Sequence, residues 1–408
     1  MIKNDKNLLV GLDLGTSFLK LIVGKINEDN EIDFIGIVKS KSLGIKRGVV
    51  IDINATVVSI EKTVEDAEEL LDINIDSLYV NISGKHIHSF NVTGRAAISD
   101  HKEVTLQDLK SVEESAKAIT LPSDQEILHV ISKDYEIDGQ DGIKAPIGMS
   151  GIAIDGRYHL VTGAKNARDN LEKCIRKCTI EPQAVVLDQL ASSMAVLTED
   201  EKELGVCLID IGGGTTDILI YINGVVEYTT SLSLGGDQVT NDLAQGLKTS
   251  TSNAEELKIT NGCVNIGLSE NDYIEVPSVG ERPPRRIQRS VLANIMYSRY
   301  EEIFKFINER IENGGFGEKI SAGVVITGGS AKVEGIEDLA EEVFHRPSRL
   351  GIPLYINGIS LSSFNTPEYA ASVGLLLYAK NQRKYQAEIS KDSFFSVVKK
   401  IFSKIFFN

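Results

Sequence analysis

Two stretches of this chain repeat one chemistry-bearing pattern. Leu9-Val10-Gly11-Leu12-Asp13-Leu14-Gly15-Thr16-Ser17 and Cys207-Leu208-Ile209-Asp210-Ile211-Gly212-Gly213-Gly214-Thr215-Thr216-Asp217 each run from an apolar segment through an aspartate into a glycine turn carrying hydroxyls. A short Leu-rich or β-branched run reads as a buried strand, and a glycine turn behind it lets backbone N–H groups come close to an anion. Asp13 and Asp210 stand where strand becomes turn, a place from which a carboxylate holds Mg²⁺ through its waters against phosphates cradled by the turns. One such turn is commonplace. Two with the same Asp offset point to a phosphate clamp in two halves, and so to nucleotide binding.

A third glycine signal lies in Val324-Val325-Ile326-Thr327-Gly328-Gly329-Ser330-Ala331, with Gly335-Ile336 opening a helix after it. Alone it reads as a strand and turn; beside the first two it offers backbone against which the flat face of a base can lie. Glu255 and Lys258, three apart on an expected helix, face the same way, which suits ribose hydroxyls as well as a surface ion pair. For that pair alone the ion pair is the better reading.

These residues need alternating elements to position them, and the chain supplies such a pattern. Strands are expected from Leu8 to Leu14, Leu19 to Lys25 and Asp33 to Lys39, then a helix from Asn54 to Leu71 built on Val57, Val58, Ile60 and Val64. From Ser83 to Gly163 the texture changes to alternating strands, His86 to Ile98 and Ile127 to Ile137, around a helix whose Thr105 and Asp108 resemble a capping box. This segment reads as an inserted subdomain. A helix capped by Asn166 and running to about Cys178, a strand from Ala184 to Leu187 and a helix from Gln189 to Leu197 lead into the second phosphate segment, after which the pattern restarts. The proline-rich, basic stretch Glu275 to Arg286 reads as an exposed loop before a helix from Val291 to Glu312.

With 408 residues the chain exceeds the usual single-domain size, and a hydrophobic fraction of 42% supports a folded core in two or more lobes. The formal charge of −15 excludes a general nucleic-acid binder, which needs an excess of Lys and Arg to neutralise phosphates. Cys174, Cys178, Cys207 and Cys263 have neither CxxC spacing nor a His cluster and read as reduced core thiols. Met1 to Asn7 is polar without a secretory apolar region, and no apolar run reaches spanning length, so a cytoplasmic protein is expected.

The tail changes character abruptly. Residues 381–392 are polar and read as a linker; residues 393–408 are aromatic and basic. Turned at about 100° per residue, Phe394, Phe395, Val397, Val398, Ile401, Phe402, Ile405 and Phe406 fall on one continuous half, with Ser396, Lys399, Lys400, Ser403 and Lys404 opposite. An all-cationic polar face on an anionic protein matches a helix lying in the interface of an anionic membrane rather than one docked on the body.

Taken in order, the first phosphate turn, connecting helix, second phosphate turn, Thr-Gly-Gly-Ser base turn and a final helix from Pro367 to Ala379 resemble the actin, Hsp70 and sugar-kinase superfamily. Within it the chain is similar, over essentially its whole length, to the FtsA family of bacterial cell-division proteins. The matching motifs are Ser83-Gly84-Lys85-His86-Ile87, Glu203-Leu204-Gly205-Val206-Cys207, Glu275-Val276-Pro277-Ser278-Val279-Gly280 with Arg282-Pro283-Pro284-Arg285, and the tail.

The resemblance implies an α/β, actin-like two-lobed ATPase fold with an inserted subdomain in lobe one and a C-terminal amphipathic helix. Residues 1–82, 164–200 and 365–380 would form the first subdomain of lobe one and 83–163 the insertion. Residues 201–240 with 300–364, and 241–299, would form the two subdomains of lobe two. It implies ATP with Mg²⁺, held by Asp13, Gly15, Thr16, Ser17 and Lys20 on the first turn and by Asp210, Gly212, Gly213, Gly214, Thr215 and Thr216 on the second. Gly328, Gly329 and Ser330 would meet the adenine, and Glu255 with Lys258 the ribose. Asp188, at the start of the connecting helix, occupies the place where relatives that hydrolyse ATP well carry Glu or Gln. It is one methylene shorter, so binding is expected to outrun hydrolysis.

The implied partners are the FtsZ C-terminal tail, docked on the second lobe with a contribution from Arg285 and Arg286, further copies of the chain in a polymer, other division proteins, and anionic inner-membrane lipid. The implied location is the cytoplasmic face of the inner membrane at the division site, held peripherally. Two rivals share the superfamily. A sugar or acid kinase would need a substrate pocket with its own catalytic Asp and has no use for the tail; a pilus-assembly scaffold is the other.

Overall fold

The computed structural model describes residues 7–99, 102–265, 267, 272–280, 282–358 and 364–384. The tail helix expected over 393–408, with its membrane-facing residues from Phe394 to Phe406, lies outside them, as does most of the linker.

Two sheets carry the two phosphate segments with one topology. In the first, five strands run in the order Glu181–Leu187, Ser77–Ile82, Leu8–Leu14, Phe18–Ile26, Ile32–Lys41. In the second the order is Ser348–Leu350, Val324–Thr327, Val206–Ile211, Thr216–Ile222, Val225–Leu232. Each phosphate-bearing strand forms an antiparallel hairpin with its successor and pairs in parallel with a later strand on its other side. Strands buried on both faces read as continuous apolar runs, which is why Leu9, Leu12, Leu208 and Ile209 are fully buried.

Two helices lie between the sheets, Asp188–Val196 and the helical residues 370–384. Ala191, Ala195, Val373, Leu375 and Leu376 pack with Leu9 and Ile22 of one sheet and Leu208, Leu219 and Val325 of the other in a single cluster. The helices approach so closely that a Cβ on Gly374 would lie 1.8 Å from the Ala191 carbonyl oxygen. Backbone there cannot yield. Gly374→Ala should therefore cost about 3 kcal/mol or more, checked as a lowered denaturant midpoint.

Outside the sandwich, Ile53–Leu71 and Lys165–Lys177 cover the first sheet through Ile60, Val64, Leu171 and Ile175. Gly236–Gly246, Arg289–Asn313 and Ile336–Phe344 cover the second through Val239, Leu243, Met296, Phe304 and Leu339. The insertion is a four-stranded antiparallel sheet, His88–Ala97, Ala153–Ala164, Gln125–Ile137 and Gln140–Ile143, packed against Leu106–Lys117. Thr105 and Asp108 form the expected capping box. The insertion leans on lobe two: Ser89 Oγ donates to Thr229 O at 2.8 Å, and Lys133 pairs with Glu227 at 2.6 Å.

Three local expectations need correction. Arg285 and Arg286 sit on the strand Arg285–Gln288, paired with Tyr273–Val276, and not in a loop, because Ile274 and Val276 bury one face of that hairpin. Asn166 does not cap its helix; Lys165–Lys177 starts directly from strand residue Ala164 without a side-chain cap. The final helix continues through residue 384, so residues 381–384 of the expected linker are helical, and Arg383 donates to Leu8 O at 2.9 Å.

Candidate functional site

The two hairpin turns meet across the gap between the sheets. A Cβ on Gly213 would lie 2.2 Å from Ser17 Oγ, and one on Gly214 would lie 2.6 Å from Thr16 Oγ1. Only glycines allow this approach. Beside the meeting point opens a cavity of about 460 Å³, within the usual size of small-molecule sites. Its walls include Asp13, Gly15, Thr16, Ser17, Lys20, Asp188, Asp210, Gly212, Gly213, Thr215, Glu255, Lys258, Gly328, Gly329 and Ser330. Residues that are some three hundred positions apart in sequence are thus brought to one space.

The phosphate end is crowded with carboxylates. Asp13 is buried and accepts from Asn81 Nδ2 at 2.9 Å, Ser372 Oγ at 3.0 Å and Lys20 Nζ at 2.7 Å. Asn81 turns its carbonyl to Leu14 N–H at 2.7 Å and its amide also to Asp188, locking strand end, turn and connecting helix together. Asp210 accepts from Ser192 Oγ. Asp217 accepts from Ser83 Oγ at 2.7 and 2.8 Å, a bond that crosses from lobe one to lobe two.

Burial, then the charges of Asp210, Asp13 and Asp217, hold the Asp188 carboxyl well above the carboxylate range. Burial also pushes Asp210 up to about 7, with Asp217 and Asp13 adding to it against the Ser192 hydrogen bond. Burial works against the charge of Lys20, yet Asp13, backed by Asp210 and Asp188, leaves its pKa raised. One lysine stands among these four carboxylates, and no three ligating side chains among the described residues converge to hold a metal directly, so a divalent cation would be held there through its waters.

At the other end the base turn is fixed by Ser330 Oγ donating to Gly212 O at 2.9 Å and Tyr300 OH donating to Ser330 O at 2.8 Å. Gly328 has φ 93°, and a Cβ there would meet Asp210 Oδ1 at 2.4 Å. Glu255 and Lys258 pair at 2.7 Å, so the ion pair exists, and it also lines the cavity. Ile259, Met296 and Val333 add an apolar wall.

Not every expected residue faces the cavity. Thr216 is fully buried and donates to Leu234 O at 2.9 Å, fixing the hairpin, while Gly214 packs against Thr16 and Arg47. Arg285 donates to Leu247 O and Arg286 lies over the Tyr273 ring at 4.7 Å, both on the second-lobe hairpin away from the site. The sequence reading missed Asn81, Ser83, Ser192 and Ser372. Their one available signal was a polar residue interrupting an apolar run, as Asn81 does in Ser77–Ile82.

Two sandwiched sheets of repeated topology, each presenting a glycine turn to a shared cleft, define an actin-like fold with an inserted domain. Solved structures agree on the fold. A PilM–PilN type IV pilus biogenesis complex matches with TM-score 0.64 at 14% identity, covering 91% of this chain and 98% of that one. MreB5 of Spiroplasma citri bound to ADP matches with TM-score 0.57 at 14% identity, covering 93% and 98%.

Sequence relatives are more specific. The cell division protein FtsA of Pseudomonas aeruginosa is 45% identical over 372 residues, 91% of this chain and 89% of its own. That of Escherichia coli K12 is 38% identical over 402 residues, 96% and 95%. The family description "Cell division protein FtsA" matches residues 207–374, and "SHS2 domain inserted in FTSA" matches residues 84–162. The chain belongs to the FtsA family of cell-division proteins. That membership sets aside the small-molecule kinase and the pilus scaffold.

Proposed function

We propose that this chain binds Mg-ATP between its lobes and works as a membrane-tethered, polymer-forming adaptor that carries the FtsZ tail at the division site. The observation that carries the nucleotide part is the pair of turns facing each other over one carboxylate-rich cavity. Backbone N–H groups of Thr16, Ser17, Gly213 and Thr215 would cradle phosphates, those of Gly15 and Gly212 closing the turns on Phe18 O and Thr215 O instead, and Asp13 and Asp210 would hold Mg²⁺ through water. Beside Asp13 and Asp210 such a cation would supply the positive charge that phosphates among buried carboxyls need. Gly328, Gly329 and Ser330 with Ile259, Met296 and Val333 would receive the base. A fluorescence titration of the full chain with Mg-ATP tests this reading, and the absence of saturable binding would overturn it.

Turnover should be slow. Asp188 is one methylene shorter than glutamate, and one of its carboxyl oxygens already accepts from Asn81. Asp188→Glu should raise ATP turnover several-fold by reaching further into the cleft; single-turnover phosphate release checks it, and an unchanged or lower rate counts against Asp188 as the water-orienting group.

The membrane and partner parts rest on the tail pattern and the family. No helix among the described residues is long and apolar enough to cross a membrane. Peripheral attachment through residues 393–408 supplies the tether instead, and a polymer would multiply weak single-tail binding through effective concentration. For the FtsZ tail we keep the second-lobe segment 241–299, with exposed Arg286 a better contact than Arg285, whose guanidinium is already engaged. Co-sedimentation with liposomes and an FtsZ tail peptide, with and without residues 393–408, tests both.

A further inference from the structure

The small hairpin Ile45–Lys46 and Val49–Val50 lies in lobe one against the two glycine turns, with Arg47 and Gly48 at its tip. Arg47 holds φ 51°, a left-handed conformation that residues with a Cβ rarely adopt. That backbone is gripped from both lobes. Gly48 N–H donates to Thr16 Oγ1 at 3.1 Å, tying the hairpin to the first phosphate turn. A Cβ on Gly214 of the second turn would lie 2.9 Å from Arg47 Cα, and one on Gly84 would lie 3.3 Å from Arg47 O. Gly48, its neighbour, lines the cavity.

The side chain is free to act. Arg47 is exposed and forms no hydrogen bond or ion pair with a described residue. Its charge is felt beside the second turn: burial raises the pKa of Asp237, Lys258 opposes that rise, Glu255 adds to it and Arg47 opposes it. Asp237 N–H in turn donates to Gly213 O at 2.8 Å. The lysines of the cavity wall are committed, Lys20 to Asp13, Lys258 to Glu255, and Lys39 and Lys332 to Glu368.

We propose that Arg47 reads the terminal phosphate of a nucleoside triphosphate, making the closed arrangement of the lobes selective for triphosphate over diphosphate. The inference rests on the nucleotide reading above. A guanidinium fork suits a phosphate, and its strained anchor fixes where the fork starts. Arg47 belongs to lobe one and the Gly212–Gly214 turn to lobe two. A phosphate held by both ties the lobes, whereas a diphosphate leaves Arg47 unengaged.

The test compares Mg-ATP and Mg-ADP affinity, by calorimetric titration, for the full-length wild type, Arg47→Gly and Arg47→Lys. Glycine keeps the left-handed backbone without strain, so the hairpin survives while the guanidinium is lost. Arg47→Gly should weaken ATP binding on the order of ten- to a hundredfold and leave ADP within about twofold, with Arg47→Lys between. Melting temperature, followed alongside, should not fall. Equal losses for both nucleotides, or no loss for ATP, would overturn the role given to Arg47 while leaving the nucleotide site standing. A wild-type protein that binds neither nucleotide would overturn the site itself, and the inference with it.

Discussion

Asp210→Asn should stabilise the unliganded protein at pH 7.5 and at the same time weaken Mg-ATP binding about a hundredfold. The two effects have opposite signs because they come from one cause. Asp210 is buried among Asp13, Asp188 and Asp217 with Lys20 as the cation paired into the cluster, so its carboxyl is pushed up to about 7. A carboxyl whose pKa is higher in the folded than in the unfolded chain holds its proton longer when folded. Its contribution to stability is complete below the unfolded value near 3.8 and drains away as pH rises to about 7. Asparagine has no proton to lose and its carbonyl still accepts from Ser192. The variant should therefore show a flatter dependence of melting temperature on pH between 4 and 7, and melt about 2–4 °C above wild type at pH 7.5. Its nucleotide affinity should fall because a cation bound against phosphates has lost one of its carboxylates. Scanning calorimetry over that pH range, with a titration at pH 7.5, decides the matter. A variant that melts lower than wild type and binds nucleotide equally well would show that the aspartate is structural.

Much of this site was legible because its chemistry lies at chain-local junctions. Asp13 and Asp210 stand next to the last residue of buried strands, and glycine turns announce themselves whatever packs on them. What was not legible comes from topology. Asn81 reaches Asp13 because Ser77–Ile82 lies parallel to Leu8–Leu14, and Ser372 reaches it from the far end of the chain. Nothing in the local sequence around Asn81 or Ser372 encodes those meetings. Arg285 and Arg286 were misread for the converse reason: Pro283 and Pro284 break structure locally, but Ile274 and Val276 gain enough burial to pair the flanks into a hairpin. Thr216 matched the motif and yet faces inward, because it opens the strand Thr216–Ile222 with its hydroxyl donated to Leu234 O, while Thr215, the last residue of the turn, lines the cavity.

The repeated sheets also bear on how lobes and insertion communicate. Ser83 begins the insertion and bonds Asp217 across the cleft, while Ser89 and Lys133 hold the insertion to Thr229 and Glu227 of lobe two. The insertion is therefore joined to lobe two both beside the cleft, through Asp217, and along the strand Val225–Leu232.

Phe402→Asp should abolish liposome binding and leave nucleotide affinity unchanged. Phe402 falls in the middle of the apolar half of residues 393–408, where a carboxylate must either be desolvated or hold the helix off the bilayer. The linker reading of the sequence ahead of residue 393 predicts that the substitution does not reach the cavity. Replacing Lys399, Lys400 and Lys404 with Gln acts on a different term. Each lysine contributes on the order of 1 kcal/mol at an anionic surface, so the triple variant should lose binding to anionic vesicles and keep its weaker binding to neutral ones. Added salt should imitate that loss in the wild type, because screening removes the same attraction. It should not imitate Phe402→Asp, which removes insertion itself. A Phe402→Asp protein that sediments with anionic vesicles as wild type does would place the membrane contact elsewhere, and one that unfolds would make the segment part of the core.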